Sequence, residues 1–244
     1  MRNVRLDICY DGSRYKGWQR LPNCENTIQG KIEKTLSRIL GETIELTGSG
    51  RTDAGTHAAC QVANFHTNSN MPCESILDQL RRYLPEDIGI YSCRNVSERF
   101  HARLNAKTKT YCYRLWNSSA PCVFDRKYVC FDARELDIER MQKAAEQFLG
   151  THDFSAFCAN RNVKKSTVRA IMDFEVFKVD DEIRFVVTGN GFLHHMVRIM
   201  VGTLVEIGAG EREIESIPSL FGGKREDAGV TMPAQGLCLM EVNY

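Results

Sequence analysis

The order in which two kinds of hydrophobic spacing follow one another does most to limit how this chain can fold. Val4, Leu6, Ile8 and Tyr10 alternate with Arg5, Asp7 and Cys9, the two-residue period of a half-buried strand. Ile28, Ile32, Leu36 and Ile39 then keep helical spacing, behind an Asn26/Gln29 pair that resembles a capping box. A short strand over 43–47, another over 60–66, a helix carrying Ile76 and Leu80 and stopped by Pro85, and a strand over 88–93 complete the run. That order, β-α-β-β-α-β, is the ferredoxin-like pattern.

The pattern roughly restarts in the second half. Residues 109–116 alternate as a strand, with Tyr111, Tyr113 and Leu115 on one face. Asp137 caps a helix through Met141, Ala144 and Phe148 that Gly150 closes. Residues 167–178 and 183–188 read as a hairpin turning at Asp180-Asp181. A helix with Met196, Ile199, Met200, Thr203 and Ile207 on its apolar side follows, then a short helix over 214–220 and a last strand over 237–242. The expected fold class is α/β of the α+β type, with two ferredoxin-like, RRM-like subdomains over residues 1–104 and 105–244. Their antiparallel sheets would lie side by side, with helices on one side and an open face on the other.

Composition narrows the setting more than the function. The 244 residues are enough for one large or two small domains, and 43% apolar with 26% charged is ordinary for a globular chain. A net charge of +1 does not advertise nucleic-acid binding, although a basic cleft can be offset by acidic outer helices. The ten cysteines stand singly with no C-x-x-C, which argues against a disulfide framework or a metal cluster. Neither a leader pattern nor an apolar run long enough to span a bilayer is visible, so a soluble, reduced, cytoplasmic protein is expected.

The chemistry concentrates in Gly48-Ser49-Gly50-Arg51-Thr52-Asp53-Ala54-Gly55-Thr56-His57-Ala58, between two strand-like runs. Glycines allow positive φ and close backbone approach. A guanidinium two residues from Asp53 would favour its ionised form, since a nearby cation lowers an Asp pKa by roughly 1–3 units. An aspartate nucleophile could be offered to a polyanion in this way. The plainer alternative is a Gly-rich turn whose Asp caps a loop and whose Arg is solvated.

This loop resembles the signature of the TruA family of tRNA pseudouridine synthases. The resemblance extends to Tyr10-Asp11-Gly12-Ser13-Arg14-Tyr15-Lys16-Gly17-Trp18-Gln19-Arg20, Phe100-His101-Ala102-Arg103, Lys109-Thr110-Tyr111-Cys112-Tyr113, Phe192-Leu193-His194-His195-Met196-Val197-Arg198 and Gly236-Leu237. It implies a cofactor-free isomerase acting on the anticodon stem-loop of tRNA, working as a homodimer, with RNA on the open sheet face. It makes Asp53 the catalytic nucleophile and Arg198 its ionic partner. Arg51 would enter the space left by the flipped base, the simpler option being a phosphate contact alone. Tyr111 would stack on the target uracil and serve proton transfer, although Tyr113 shares its face by alternation; Leu237 would line the uracil pocket. No metal is implied: His194 and His195, read as adjacent on the Arg198 helix and about 100° apart, suit packing or phosphate contacts better than ligation.

Other candidates are less specific. The loop over 11–22 could hold phosphate and stack on bases, or could fold Trp18 back onto the core. His101, Arg103 and the pairs Arg81-Arg82, Arg126-Lys127 and Lys164-Lys165 are candidate phosphate contacts. Thr56 stands where the signature usually has Val, and Arg81 where many members carry Asn, which leaves room for another target such as ribosomal RNA. A non-catalytic RNA-binding module is the third reading, and it has no use for an ionised aspartate.

Overall fold

A computed structural model describes residues 1–160 and 166–244, so the Lys164-Lys165 pair lies outside the described residues. The chain forms two compact units. One comprises Met1–Lys107 with Leu239–Tyr244, the other Thr108–Cys238, so the last residues belong with the first unit. No helix among the described residues is long and apolar enough to cross a membrane. None of the ten cysteines forms a disulfide, and burial pushes Cys112 up to about 11 and Cys93 up to about 12.

The first unit runs β1 (Arg2–Tyr10), α1 (Ile28–Leu40), β2 (Thr47–Gly48), β3 (His57–Thr67), α2 (Cys73–Tyr83) and β4 (Ile88–Val96). β1 sits between β4 and β3, antiparallel to both, and β2 pairs with β3. This is the expected β-α-β-β-α-β order in a ferredoxin-like sheet. Val4, Leu6 and Ile8 are fully buried, as are Ile28, Ile32 and Leu36 of α1 and Ile76 and Leu80 of α2. Each such side chain contributes roughly 1.5–3 kcal/mol on burial.

Two local expectations fail here. Thr27, not Asn26, caps α1: its hydroxyl accepts from the Gly30 N–H, while the Asn26 amide donates to the Arg14 carbonyl. Gln29 is turned inward instead, with its amide donating to Glu33 Oε1 and to the Leu46 carbonyl. The strand expected over 43–47 is only Thr47–Gly48, because the Leu46 N–H is taken by the buried Glu33 carboxylate at 2.9 Å rather than by a neighbouring strand. Gly41, at φ +69°, ends α1 as a left-handed cap.

The second unit holds β5 (Thr108–Trp116), β6 (Cys130–Phe131), α3 (Ile138–Glu146), β7 (Gly150–Asp153), β8 (Val168–Val179), β9 (Glu182–Gly189), α4 (Met196–Gly208) and α5 (Ile217–Leu220). β5, β9, β8 and β7 lie in that order with antiparallel pairing, and β6 adds to β5 in parallel. The 180–181 hairpin is present, with Asp180 at φ +52°. Asp137 caps α3 by accepting from the Arg140 N–H. The helix stops at Glu146, before Phe148, and Gly150 opens β7 instead of closing α3. α4 is buried nearly all round rather than on one stripe. β10 (Leu237–Asn243) is the final strand, and its Leu239–Asn243 part belongs to the first unit, where it pairs with β3.

Candidate active site

In the first unit, residues 49–56 join β2 to β3 and are held by the loop that follows β1. The Trp18 N–H donates to the Thr52 carbonyl at 3.1 Å, and the Gly55 N–H to the Tyr15 carbonyl at 3.3 Å. The Tyr10 and Thr52 hydroxyls are 2.8 Å apart. Gln61 of β3 supports the start of the loop, taking the Ser49 hydroxyl at 2.5 Å and donating to the Gly50 carbonyl at 3.1 Å. The approach is so close that a Cβ on Gly12 would fall inside the Thr56 carbonyl, and Gly17, at φ +92°, faces the Thr52 carbonyl. Only glycine fits either position. Trp18 and Tyr15 are buried, so the early loop folds back as a support, and Trp18 is not a surface for stacking bases.

Within this clamp Thr52 is buried, Arg51 is exposed and Asp53 is half-buried. Arg51 Nε donates to Gln19 Oε1 at 2.9 Å. At the far end the Gly12 N–H donates to His57 Nδ1 at 3.1 Å, which makes that nitrogen an acceptor and puts the imidazole proton on Nε2. Asp11 Oδ1, 3.2 Å from the same nitrogen, would become its partner on protonation. The backbone carrying Asp53 is therefore held on both sides by hydrogen bonds to the loop that follows β1.

The second unit carries the other predicted residues. Tyr111 on β5 is 7% exposed and meets Phe192 edge-on, ring centres 5.1 Å apart. Tyr113 is sealed in the core, its hydroxyl donating to the Pro233 carbonyl at 2.9 Å, and burial pushes its pKa far above the ordinary value. Arg198, in the first turn of α4, donates from Nε to the Met232 carbonyl at 2.6 Å. Leu237 begins β10 at 6% exposure.

The histidine expectation needs correction. α4 starts at Met196, and His195 precedes it at φ +62°, so the pair is not helical. The two rings lie 3.8 Å apart instead of diverging by a helical 100°. Arg81, exposed and read from sequence as a candidate phosphate contact, braces α2 on β4 by donating from Nε and Nη2 to the Ile90 and Tyr91 carbonyls. The Nδ1 of His101 accepts the Arg103 and Leu104 N–H groups in a turn, while Arg103 stays exposed. Arg126 donates to the Val123 carbonyl in an exposed turn.

A family model described as tRNA pseudouridine synthase matches residues 8–105 and 144–244. The chain belongs to the tRNA pseudouridine synthase family. It is 46% identical over 244 residues to "tRNA pseudouridine synthase A" of a Bacillus species and 46% over 245 residues to that of Acetivibrio thermocellus. It is 44% identical over 245 residues to "tRNA pseudouridine synthase A 2" of Bacillus cereus. All three alignments cover 100% of both chains. Arg51, Asp53, Arg198 and Leu237 fall inside the ranges matched by the family model, and Tyr111 falls in the interval between them.

Sequence reasoning did not find Gln19 as the partner of Arg51, nor the clamp itself. The signal was present in Gly12 and Gly17, since glycines five apart in a loop rich in bulky residues mark close backbone approach as much as flexibility.

Proposed function

We infer that this chain isomerises uridine to pseudouridine in tRNA, and that Asp53 is the nucleophile. The C1′–N1 bond of uridine breaks, the base turns, and a C1′–C5 bond forms. The C5 proton leaves and N1 gains one, so atoms and charge balance without a cofactor. The carboxylate of Asp53 holds the sugar or base covalently while the base turns. Arg198 favours its ionised form, Tyr111 stacks on the uracil and handles the C5 proton, Leu237 lines the base, and Arg51 fills the place of the flipped nucleotide. The target is the anticodon stem-loop, and the enzyme works as a homodimer.

The observation that carries this reading is the signature loop held rigid on backbone contacts, with Asp53 half-buried between buried Thr52 and exposed Ala54. A pseudouridine map on unmodified tRNA and ribosomal RNA transcripts tests it, with wild type and Asp53→Asn in parallel. The expected result is signal in the anticodon arm of several tRNAs, abolished by Asp53→Asn with RNA binding retained. Product from Asp53→Asn at near wild-type rate would sink the nucleophile assignment. Signal confined to ribosomal RNA would overturn the target.

A further inference from the structure

The residues over 228–237 form a strap across the second unit, and its anchors follow one another along the chain. The Gly229 N–H donates to Thr203 Oγ1 at 3.0 Å, and the Val230 N–H to Glu206 Oε1 at 3.0 Å, both on α4. Arg225 donates to Thr231 Oγ1 at 2.8 Å. The Met232 carbonyl accepts from Arg198 Nε at 2.6 Å, while its N–H donates to the Arg198 carbonyl at 3.2 Å. The Pro233 carbonyl accepts from the Tyr113 hydroxyl. Gly236 then lies on the Tyr113 ring so closely that a Cβ would come within 2.6 Å of the ring and 2.8 Å of the Arg114 carbonyl. The next residue is Leu237.

Arg198 of α4 thus holds the strap at Met232 and Leu237 ends it, with the stretch between them fastened to Tyr113. Gly202 on α4 permits the approach, because a Cβ there would run into the Val230 carbonyl. Tyr113 is fully buried on β5, two residues beyond Tyr111. One strand therefore carries Tyr111 and also the anchor that sets the strap.

We propose that Tyr113 is a positioning residue for the isomerisation: through the Pro233 carbonyl, its hydroxyl fixes the strap that orients the Arg198 guanidinium and places Leu237 against the target uracil. This rests on the roles given above to Arg198 and Leu237. Losing the hydroxyl leaves the ring in the core and lets the strap shift, and misplacement by about 1 Å far from the chemistry can cost on the order of a hundredfold in rate.

The test uses the full-length enzyme and a tRNA transcript tritiated at uridine C5, whose label is released as the C1′–C5 bond forms. Tyr113→Phe is expected to lower kcat about tenfold with KM within about twofold, and to raise amide exchange over 233–237. In a Leu237→Ala background the same change should cost less than in wild type, because one of the two residues it acts through is gone. Pro233→Ala, at an exposed position, loosens the strap without touching the core and should lower kcat in the same sense. An unchanged kcat for Tyr113→Phe and Pro233→Ala, or an equal cost in both backgrounds, overturns the strap inference while leaving the site reading intact. Wild-type turnover by Leu237→Ala and Arg198→Ala would overturn the site reading, and the strap inference with it.

Discussion

Replacing Thr56 by Val should stabilise this protein. Thr56 is 1% exposed, and its Oγ1 has no hydrogen-bond partner among the described residues. An unsatisfied buried hydroxyl costs about 1–3 kcal/mol, and a methyl of nearly the same shape adds up to about 0.8 kcal/mol of apolar burial. Since nothing in the clamp needs the hydroxyl, Thr56→Val is expected to add about 1–2 kcal/mol. Each kcal/mol raises Tm by roughly 2–4 °C in a chain of this size. Trp18 is buried against Gly48 in the same loop assembly, so its fluorescence in a Trp116→Phe background reports the relevant unit alone. Urea and thermal unfolding should rank Val above Thr and Thr above Ser, with turnover within about twofold of wild type. A Val variant less stable than Thr would refute the reasoning, because it would mean that the hydroxyl is satisfied in the folded state.

Three further outcomes follow from single contacts. Gln19→Ala releases Arg51 Nε and should lower kcat/KM about three- to tenfold with Tm unchanged; an unaltered kcat/KM would show that Gln19 does not orient Arg51. Burial pushes the Glu182 pKa up, but hydrogen bonds from Arg114 and then Arg184 outweigh it and hold the carboxyl below the ordinary glutamate value. Its folded pKa is the lower one, so its stabilisation is complete above about pH 4.5 and is lost as pH falls through the folded value. Urea midpoints measured down to about pH 3 should fall less steeply in Glu182→Gln than in wild type. Arg81→Asn removes the donors to the Ile90 and Tyr91 carbonyls, so stability should drop by about 1 kcal/mol while tRNA affinity stays unchanged.

The alternation of Val4, Leu6, Ile8 and Tyr10 made β1 legible, because a half-buried strand must place every second residue inward. The long helices were legible for the same reason. What the pattern missed depends on side chains that bond across the fold. Glu33 takes the Leu46 N–H and so shortens β2, and no local signal announces that. α4 reads as one-sided in sequence but is buried nearly all round, Arg198 and Glu206 excepted, because Gly202 and Gly208 let Val230 and Met141 close over it. The Asp53 loop was legible as a candidate site through its resemblance to a family signature, its glycines and charges alone suiting a plain turn as well, whereas the hydrogen bonds of Arg81 and His101 to backbone groups required coordinates. Basic residues near one another in sequence are weak evidence of phosphate binding when buried carbonyls compete for the same donors.

The two candidate regions are built by the same device. In the first unit Gly12 and Gly17 let one loop lie on the backbone of Thr52 and Thr56, either side of Asp53. In the second, Gly202 and Gly236 let the strap lie on α4 and on the Tyr113 ring, either side of the Arg198 anchor and just before Leu237. Backbone contacts carry most of both arrangements; the Arg14–Asp87 pair on the first loop is a surface ion pair, of a kind that contributes little and is weakened by salt. An enzyme whose substrate is a polyanion gains from that choice. Exposed side chains paired to carboxylates can be drawn to phosphate on binding, whereas glycine contacts and hydrogen bonds to the backbone, those from Arg198 included, depend less on the charge of what arrives. Raising ionic strength should therefore weaken RNA binding, measured as Kd, while leaving kcat at saturating tRNA nearly constant. A kcat falling in step with affinity would show that the site geometry depends on ion pairs such as Arg14–Asp87 rather than on the backbone contacts.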